Sequence, residues 1–368
     1  MTFGKKGTIS GRARKLFSVL GLATLATTAS VAHSAEPLKI GFVYVGPTGD
    51  AGWTYAHDEG RKYVEKHLGD KVQTTYVESV PEGADAERVI TQLAAKGNDL
   101  IFTTSFGYMN PTLKVAKRFR KVTFEHASGY KRNKNMGTYF TRAYQGRYLT
   151  GLIAGKMTKS NVIGYVASFP IPEVIRGINA FTKGAREVNP DVQVKVVWAS
   201  TWYDPAKERE AAETLILQKA DVLTQHTDSA AVIQAAEAKG VYAIGYHSDM
   251  SVYGEKAHLT STIHSWGPLY LKKAQAVIDG TWTSEDLWPG IAEGTTNIAP
   301  LNKAIPDDVK ALVMAKKDAI KKGEMRVFDG PVYDQAGKAM VASGTTMSDK
   351  ELLGFNWYIQ GVEGQLPK

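Results

Sequence analysis

The feature of this sequence that most constrains its fold is an alternation of short apolar runs with helical patterns, which occurs twice along the chain. In the first round the apolar runs predict strands at 39–45, 72–79, 100–105 and 122–127, and helical spacing predicts helices at 52–68, 85–96 and 110–119. In the second round strands are predicted at 162–168, 192–199, 222–225 and 242–246, and helices at 173–188, 205–219 and 230–239. Strands that alternate with helices form right-handed βαβ units around a parallel sheet. The sequence therefore predicts two similar α/β lobes.

The remaining segments suggest how the lobes are joined. Weak strand patterns at 137–144 and 259–265 are candidate crossover segments, and residues 267–282 and 306–323 have helical patterns. Residues 290–302 predict a short hairpin. Since no low-complexity linker separates the two rounds, we expect several chain crossings that together act as a hinge.

The first 35 residues have the pattern of a secretory signal. Five basic residues are followed by the apolar and small-residue stretch "LFSVLGLATLATTASVA" and then by "AHSA". We expect cleavage between Ala32 and Ala35 and export of the mature chain. The apolar stretch is too short and too mixed for a membrane span.

Net charge and cysteine content indicate the partners and the cellular compartment of the protein. The formal net charge is +8, and removing the five positive charges of the signal leaves +3, which gives no reason to expect a nucleic acid partner. The chain contains no cysteine, so we expect neither disulfides nor a lipid-modified N-terminal cysteine. These features predict a protein that is free in a bacterial periplasm.

Aromatic and polar residues recur just after the predicted strands. Ligands of parallel α/β sheets bind beyond the carboxyl ends of the strands. The aromatic residues at these ends are Trp53, Phe106, Tyr108, Phe169, Trp202 and Trp266. The polar ones are Asn110, His226, Asp228, His247, Asp249 and His264. A single ring at such a place is more often ordinary packing, but rings at successive strand ends favour a site for a flat heteroaromatic ligand.

The common enzyme motifs of α/β proteins are missing. The first loop, "GPTGDAG", lacks the G-x-G-x-x-G spacing and contains Pro47 and Asp50, which are unfavourable beside a pyrophosphate. There is no G-x-S-x-G elbow and no cysteine nucleophile. Neither "QHTD" nor "HSD" has a recognised metal-ligand spacing. We therefore expect no cofactor, no metal and no catalysis, and we interpret Asp228 and Asp249 as acceptors for ring N–H groups.

Several blocks of the sequence resemble the basic membrane protein family, the substrate-binding proteins of ABC importers that are similar to purine nucleoside receptors. The blocks are "KIGFVYVGPTGDAGWTYAHDEG", "FPIPEVIRGINAFTKGA", "ASTWYDPAKE", "ADVLTQHTDS" and "AIGYHSD". The resemblance implies a type I periplasmic binding protein fold with two Rossmann-like lobes, a three-segment hinge and a ligand between the lobes. It also implies a monomer that delivers its ligand to an ABC permease in the inner membrane.

The resemblance also suggests domain boundaries. They are a signal peptide at 1–35, lobe 1 at 36–142, lobe 2 at 143–264, a return to lobe 1 at 265–295, and a C-terminal segment at 296–368 that lies mainly in lobe 2.

The resemblance implies roles for particular residues. Asp50, Trp53 and Thr54 occupy the first-loop positions of the nucleoside-binding branch, and Asn110 stands where an aspartate faces the base. Gly177 stands in place of a stacking phenylalanine. The ribose-binding aspartate and lysine are replaced by His247 and His264.

These replacements favour a free base such as adenine over a nucleoside. Trp53 would form one wall of the site and Phe106, Phe169 or Trp202 the other, while Asn110 or Asp228 pairs with the base edge. Two other classes stay open, namely an exported purine-acting enzyme and a sensory receptor that partners a membrane signalling protein.

Overall fold

The computed structural model describes Met1, residues 36–49 and residues 51–367. Residues 2–35 of the predicted signal peptide and the loop residue Asp50 fall outside the described residues. The chain from Pro37 onward forms one compact unit that contains all the elements below. Within the described residues, no helix is both long and apolar enough to cross a membrane.

The described part of the chain contains fifteen strands and ten α-helices. The strands are β1 (Leu38–Val43), β2 (Val72–Val77), β3 (Leu100–Thr103), β4 (Thr123–Ala127), β5 (Met136–Tyr139), β6 (Val162–Ala167), β7 (Gln193–Trp198), β8 (Val222–His226), β9 (Tyr242–His247), β10 (His258–His264), β11 (Asp286–Leu287), β12 (Thr296–Ile298), β13 (Val332–Tyr333), β14 (Ala339–Val341) and β15 (Val362–Glu363). The helices are α1 (Trp53–Leu68), α2 (Ala84–Ala95), α3 (Met109–Arg118), α4 (Ala143–Met157), α5 (Pro172–Val188), α6 (Pro205–Leu217), α7 (Ala231–Lys239), α8 (Gly267–Ile278), α9 (Asp307–Lys322) and α10 (Asp349–Leu353).

The first sheet is parallel and six-stranded, in the order β11-β5-β4-β3-β1-β2. Alternate residues of β1 point to opposite faces, as the period of a strand requires. Phe42 joins a core with Val64 of α1 and Tyr270 of α8, and Val43 joins a core with Val89 of α2 and Val115 of α3. The sheet is therefore covered by helices on both faces, and it is called lobe 1 below.

The second sheet has seven strands, in the order β12-β10-β9-β8-β6-β7-β15, and only β12 is antiparallel to its neighbour. One face packs against α4, α5 and α9, and the other against α6 and α7. This sheet with its helices is called lobe 2 below. The two lobes confirm the architecture predicted from the repeated strand–helix pattern.

The chain passes between the sheets three times, after β5, after β10 and after β11. The crossing segments are hydrogen-bonded to one another. The Arg142 amide donates to the Pro289 carbonyl at 2.7 Å, and the Ser265 amide donates to the Thr295 carbonyl at 3.0 Å. Thr141 Oγ1 also lies 3.0 Å from Thr295 Oγ1. The three crossings therefore run side by side as a single narrow connection.

One prediction about the connecting segments is wrong. The hairpin predicted at 290–302 does not form, because β12 pairs with the more distant strand β10. The candidate crossover segment at 137–144 does contain the first crossing, which lies between the end of β5 and the start of α4. Helix α4 was not predicted at all. Most of its residues are buried, so the chain there lacks the polar stripe that marks an amphipathic helix.

Candidate functional site

A small cavity lies where the carboxyl ends of the strands of the two lobes face each other. Its lining residues come from loops and helix starts that follow β1, β3 and β4 in lobe 1 and β6, β7 and β8 in lobe 2, and from the last residues of β8 and β9. They are Val45, Trp53, Ser105, Phe106, Ser128, Glu173, Trp202, His226, Asp228 and His247. The site thus obeys the rule that α/β sheets bind ligands beyond the ends of their strands.

The rims of the two lobes touch beside this cavity. The Ser248 hydroxyl of lobe 2 donates a hydrogen bond to the Ala51 carbonyl of lobe 1. Gly52, which precedes α1, lies against the backbone of Asp228, and a Cβ atom at Gly52 would stand 1.9 Å from the Asp228 carbonyl oxygen. Only glycine fits at this contact, so the closed arrangement depends on the bare backbone there.

Trp53 is held in a fixed orientation at the start of α1. It is 7% exposed, and its indole Nε1 donates to the Thr104 carbonyl at 2.5 Å. The ring stands edge-on to His57 at a centroid distance of 4.2 Å, to His247 at 5.3 Å and to Trp266 at 5.6 Å. A ring that is anchored at its polar end and packed against three other rings is a rigid part of the cavity wall.

Two histidine–carboxyl pairs form the wall contributed by lobe 2. His226 Nε2 lies 3.5 Å from Glu173 Oε1, and His247 Nε2 lies 3.2 Å from Asp228 Oδ1. The Asp228 amide donates to the Trp202 carbonyl at 2.9 Å, which ties the loops after β7 and β8 together. The wall therefore combines carboxyl acceptors with an aromatic ring.

Burial sets the charges of this wall. It lowers the pKa of His226 and of His247 well below the ordinary histidine value, and nearby Arg147 lowers both further. Burial also raises the pKa of Glu173 to about 7, although Arg176 and Arg147 oppose this shift. At neutral pH the imidazoles are therefore uncharged, and the Glu173 carboxyl is divided between its protonated and ionised forms.

Several polar atoms of the lining have no hydrogen-bond partner among the described residues. They include Trp202 Nε1, His226 Nδ1 and both ring nitrogens of His247, whose Nε2 is near Asp228 but not aligned for a hydrogen bond. Buried donors and acceptors are normally paired. Unpaired atoms that face one cavity are groups with which a polar ligand can bond.

The structure brings six of the candidate residues to the cavity, namely Trp53, Phe106, Trp202, His226, Asp228 and His247. Four others lie behind this lining. Thr54 Oγ1 accepts from the Gly46 amide at 3.0 Å and so holds the first loop. The rings of Phe169, His264 and Trp266 pack on Trp202, His247 and His57 at centroid distances of 5.0, 5.2 and 4.6 Å.

Two predicted residues are not brought to the cavity. Asn110 is exposed and its Oδ1 accepts from Lys131 Nζ at 2.8 Å. Asp249 is also exposed, and its Oδ1 accepts from the Ser251 amide at 3.0 Å.

Sequence reasoning did not select Val45, Ser105, Ser128 or Glu173. The strand-end rule could have found Ser128, which directly follows β4, and Glu173, which lies in the first turn of α5 just after β6.

The described residues contain no cluster of three or more histidine, cysteine or acidic side chains suited to a metal ion.

A ligand cavity between two parallel-sheet lobes joined by three crossings defines a type I periplasmic binding protein. In agreement, a solved solute-binding protein of an ABC transporter system from Aeropyrum pernix K1 superimposes with a TM-score of 0.69, covering 87% of this chain and 98% of that one at 20% identity. A family model, Bmp, described as "ABC transporter substrate-binding protein PnrA-like", matches residues 38–329. The chain belongs to this family of substrate-binding proteins.

Two relatives are similar in sequence to most of this chain. A purine-binding protein of Brucella abortus (strain 2308) is 51% identical over 337 residues, which cover 92% of this chain and 96% of that protein. A protein of Haloferax volcanii, provisionally named an ABC transporter glucose-binding protein, is 38% identical over 332 residues, which cover 90% of this chain and 82% of its own length.

Proposed function

We propose that this protein is the periplasmic substrate-binding component of an ABC importer and that it binds a purine between its lobes, a free base such as adenine in preference to a nucleoside. One observation carries the proposal. Three aromatic rings and two carboxyl groups face a single small cavity between the lobes. The purine-binding relative from Brucella abortus supports the choice of ligand.

The aromatic rings suit the faces of a purine. Trp53 and Phe106 come from lobe 1 and Trp202 from lobe 2, so closing the lobes brings rings to a flat ligand from both sides. Stacking of a base on an aromatic side chain contributes about 1–3 kcal/mol. Trp53 is the strongest stacking residue, because its indole is already fixed by the bond to Thr104.

The carboxyl groups suit the edge of a purine. The amino edge of adenine offers an N–H donor beside a ring-nitrogen acceptor. A protonated Glu173 offers the complementary acceptor and donor, and its raised pKa of about 7 keeps this form available at neutral pH. Asp228 provides acceptors for a second N–H, and Trp202 Nε1 is a donor without a protein partner in the described structure.

The cavity is less suited to a ribose. His247 is the lining residue at the position of the family's ribose-binding aspartate, and burial keeps it uncharged. His264 lies behind His247 and does not line the cavity. Vicinal hydroxyl groups buried without good partners cost about 1–3 kcal/mol. A free base avoids this cost.

The architecture supports the importer role. The three adjacent crossings act as the hinge, and the touching rims form the closed state in which both lobes contact the ligand. We further infer that the mature monomer works in the periplasm, delivers its ligand to an inner-membrane permease, and leaves the purine chemically unchanged.

The proposal is tested by identifying the natural ligand. Protein purified without added ligand is denatured, and the released small molecules are identified by mass spectrometry. We expect a purine base. A released sugar, such as glucose, would contradict the proposal.

Substitution of two aspartates, one lining the cavity and one outside it, then tests where the ligand binds. Asp228→Asn should weaken purine binding by at least about tenfold, because a buried charged acceptor is lost. Asp249→Asn should change binding by less than about twofold, because Asp249 is exposed and outside the cavity. Equal effects of the two substitutions would place the ligand elsewhere.

A further inference from the structure

A second, larger cavity adjoins the purine site. Its volume is about 500 Å³, and it also lies between the lobes. The two cavities share Phe106, Ser128 and Glu173 as lining residues. The second cavity therefore lies directly beside the purine site, and these three side chains line both.

The walls of the second cavity are largely apolar. They include Phe140 and Leu287 from lobe 1 and the crossing segments, and Ile171 and Leu353 from lobe 2. Trp288 forms a further wall. Such a lining favours an apolar group over a sugar or a charged group.

Apart from Glu173, the charged side chains at this cavity already have protein partners. Asp349 forms a salt bridge of 2.6 Å with Arg142, and Arg176 Nη1 donates to the Leu352 carbonyl at 2.7 Å. Asp286 Oδ1 accepts from Thr138 Oγ1 at 2.7 Å. These groups are therefore poorly placed to replace the water shell of a polar ligand.

From this geometry we propose that the natural ligand is a purine base with an apolar substituent, and that the substituent passes beside Phe106 and Glu173 into the second cavity. The inference rests on the proposed purine site and specifies the class of purine. The heteroaromatic ring occupies the first cavity, and the substituent gains apolar burial against walls such as Phe140 and Leu353.

Two regioisomeric probes test the proposal by calorimetry on ligand-stripped protein. They are N6-benzyladenine and 9-benzyladenine, which direct the same apolar ring from different edges of the base. We expect at least one of them to bind tighter than adenine, by about tenfold, because the benzyl ring leaves water. If neither binds tighter than adenine, the proposal is overturned.

A cavity-filling variant locates the substituent. Leu353→Trp places a larger side chain in the second cavity only, since Leu353 lines that cavity and not the purine site. It should weaken the tighter benzyl isomer by at least about tenfold and leave adenine within about twofold. Leu217→Trp is the matched control, because Leu217 is an exposed leucine on α6 that lines neither cavity.

The outcomes distinguish this inference about the substituent from the proposed purine function. If Leu353→Trp leaves the benzyl isomer unaffected, or weakens adenine equally, the substituent does not occupy the second cavity and this inference is wrong. If adenine binds and neither benzyl isomer binds tighter than adenine, this inference is wrong but the proposed purine function still stands. Failure of adenine and both isomers to bind would contradict the purine function itself.

Discussion

The indole of Trp53 donates its Nε1–H to the carbonyl oxygen of Thr104, at a distance of 2.5 Å. This bond joins the first residue of α1 to the loop after β3 and fixes the ring at the edge of the ligand cavity. The ring that lines the cavity is also part of the lobe 1 core.

Substitution of Trp53 should affect binding and stability together. Trp53→Phe keeps a ring but loses the Thr104 bond, and we expect adenine binding to weaken by about 1 kcal/mol. Trp53→Ala removes the stacking face and leaves a core cavity, so it should weaken binding by about 1–3 kcal/mol and unfolding stability by about 3–5 kcal/mol. Calorimetry and urea unfolding measure the two effects. Unchanged adenine affinity in Trp53→Ala would show that the ring is not a ligand contact.

Closure should depend on Gly52. In Gly52→Ala the new Cβ would overlap the Asp228 carbonyl oxygen, so the rims cannot meet and adenine affinity should fall by at least about tenfold. Small-angle scattering should show that saturating adenine shrinks the wild-type protein but not this variant. Gly49→Ala is the control, because a Cβ at Gly49 has no atom within 4 Å. Normal closure of Gly52→Ala would mean that the ligand-bound rims do not meet here.

Adenine affinity should depend on pH through Glu173. Burial raises its pKa to about 7, so the protonated form that matches adenine is lost as the pH rises above 7. We expect adenine to bind more weakly at pH 8.5 than at pH 6. Glu173→Gln retains a donor and an acceptor but does not titrate, so its affinity should be nearly constant over this range. Identical pH profiles of the two proteins would exclude Glu173 as the titrating contact.

The buried His264 should lower the free energy of unfolding of the protein in acid. Burial, with Arg147 and His226, lowers its pKa to about 3, so between about pH 6.5 and 3 the unfolded chain takes up a proton that the folded protein does not. This contribution is absent at pH 8 and grows as the pH falls. His264→Phe should therefore stabilise the protein by about 1–2 kcal/mol more at pH 5 than at pH 8.

Urea unfolding at both pH values measures this difference. An equal effect of His264→Phe at pH 5 and pH 8 would show that His264 is not held neutral in the fold.

The sequence allowed most of the architecture to be predicted, because buried parallel strands and amphipathic helices leave strong periodic patterns. Strands such as β6 and helices such as α5 lie within a residue of their predicted bounds. Helix α4 was missed because it is buried on nearly all sides, and β12 because its partner β10 is distant in sequence. Patterns within one segment do not reveal such contacts.

The candidate site was predictable to the extent that its residues directly follow strands. Trp53, Trp202, Asp228 and His247 were found in this way, and the structure places them around one cavity. Asn110 was selected both from its place after a predicted strand and from family position, but the structure shows that it contacts Lys131 at the surface. Which residue of a loop points inward depends on the loop's backbone path, and spacing in the sequence does not define that path.

The most direct test of the central claim is calorimetry on ligand-stripped protein with adenine, adenosine and glucose. The account predicts that adenine binds at least about tenfold tighter than adenosine, or ~1.4 kcal/mol, and that glucose does not bind. The difference arises because the ribose hydroxyls would be buried beside the uncharged His247. Equal or tighter binding of adenosine, or saturable binding of glucose, would contradict a site built for a free purine base.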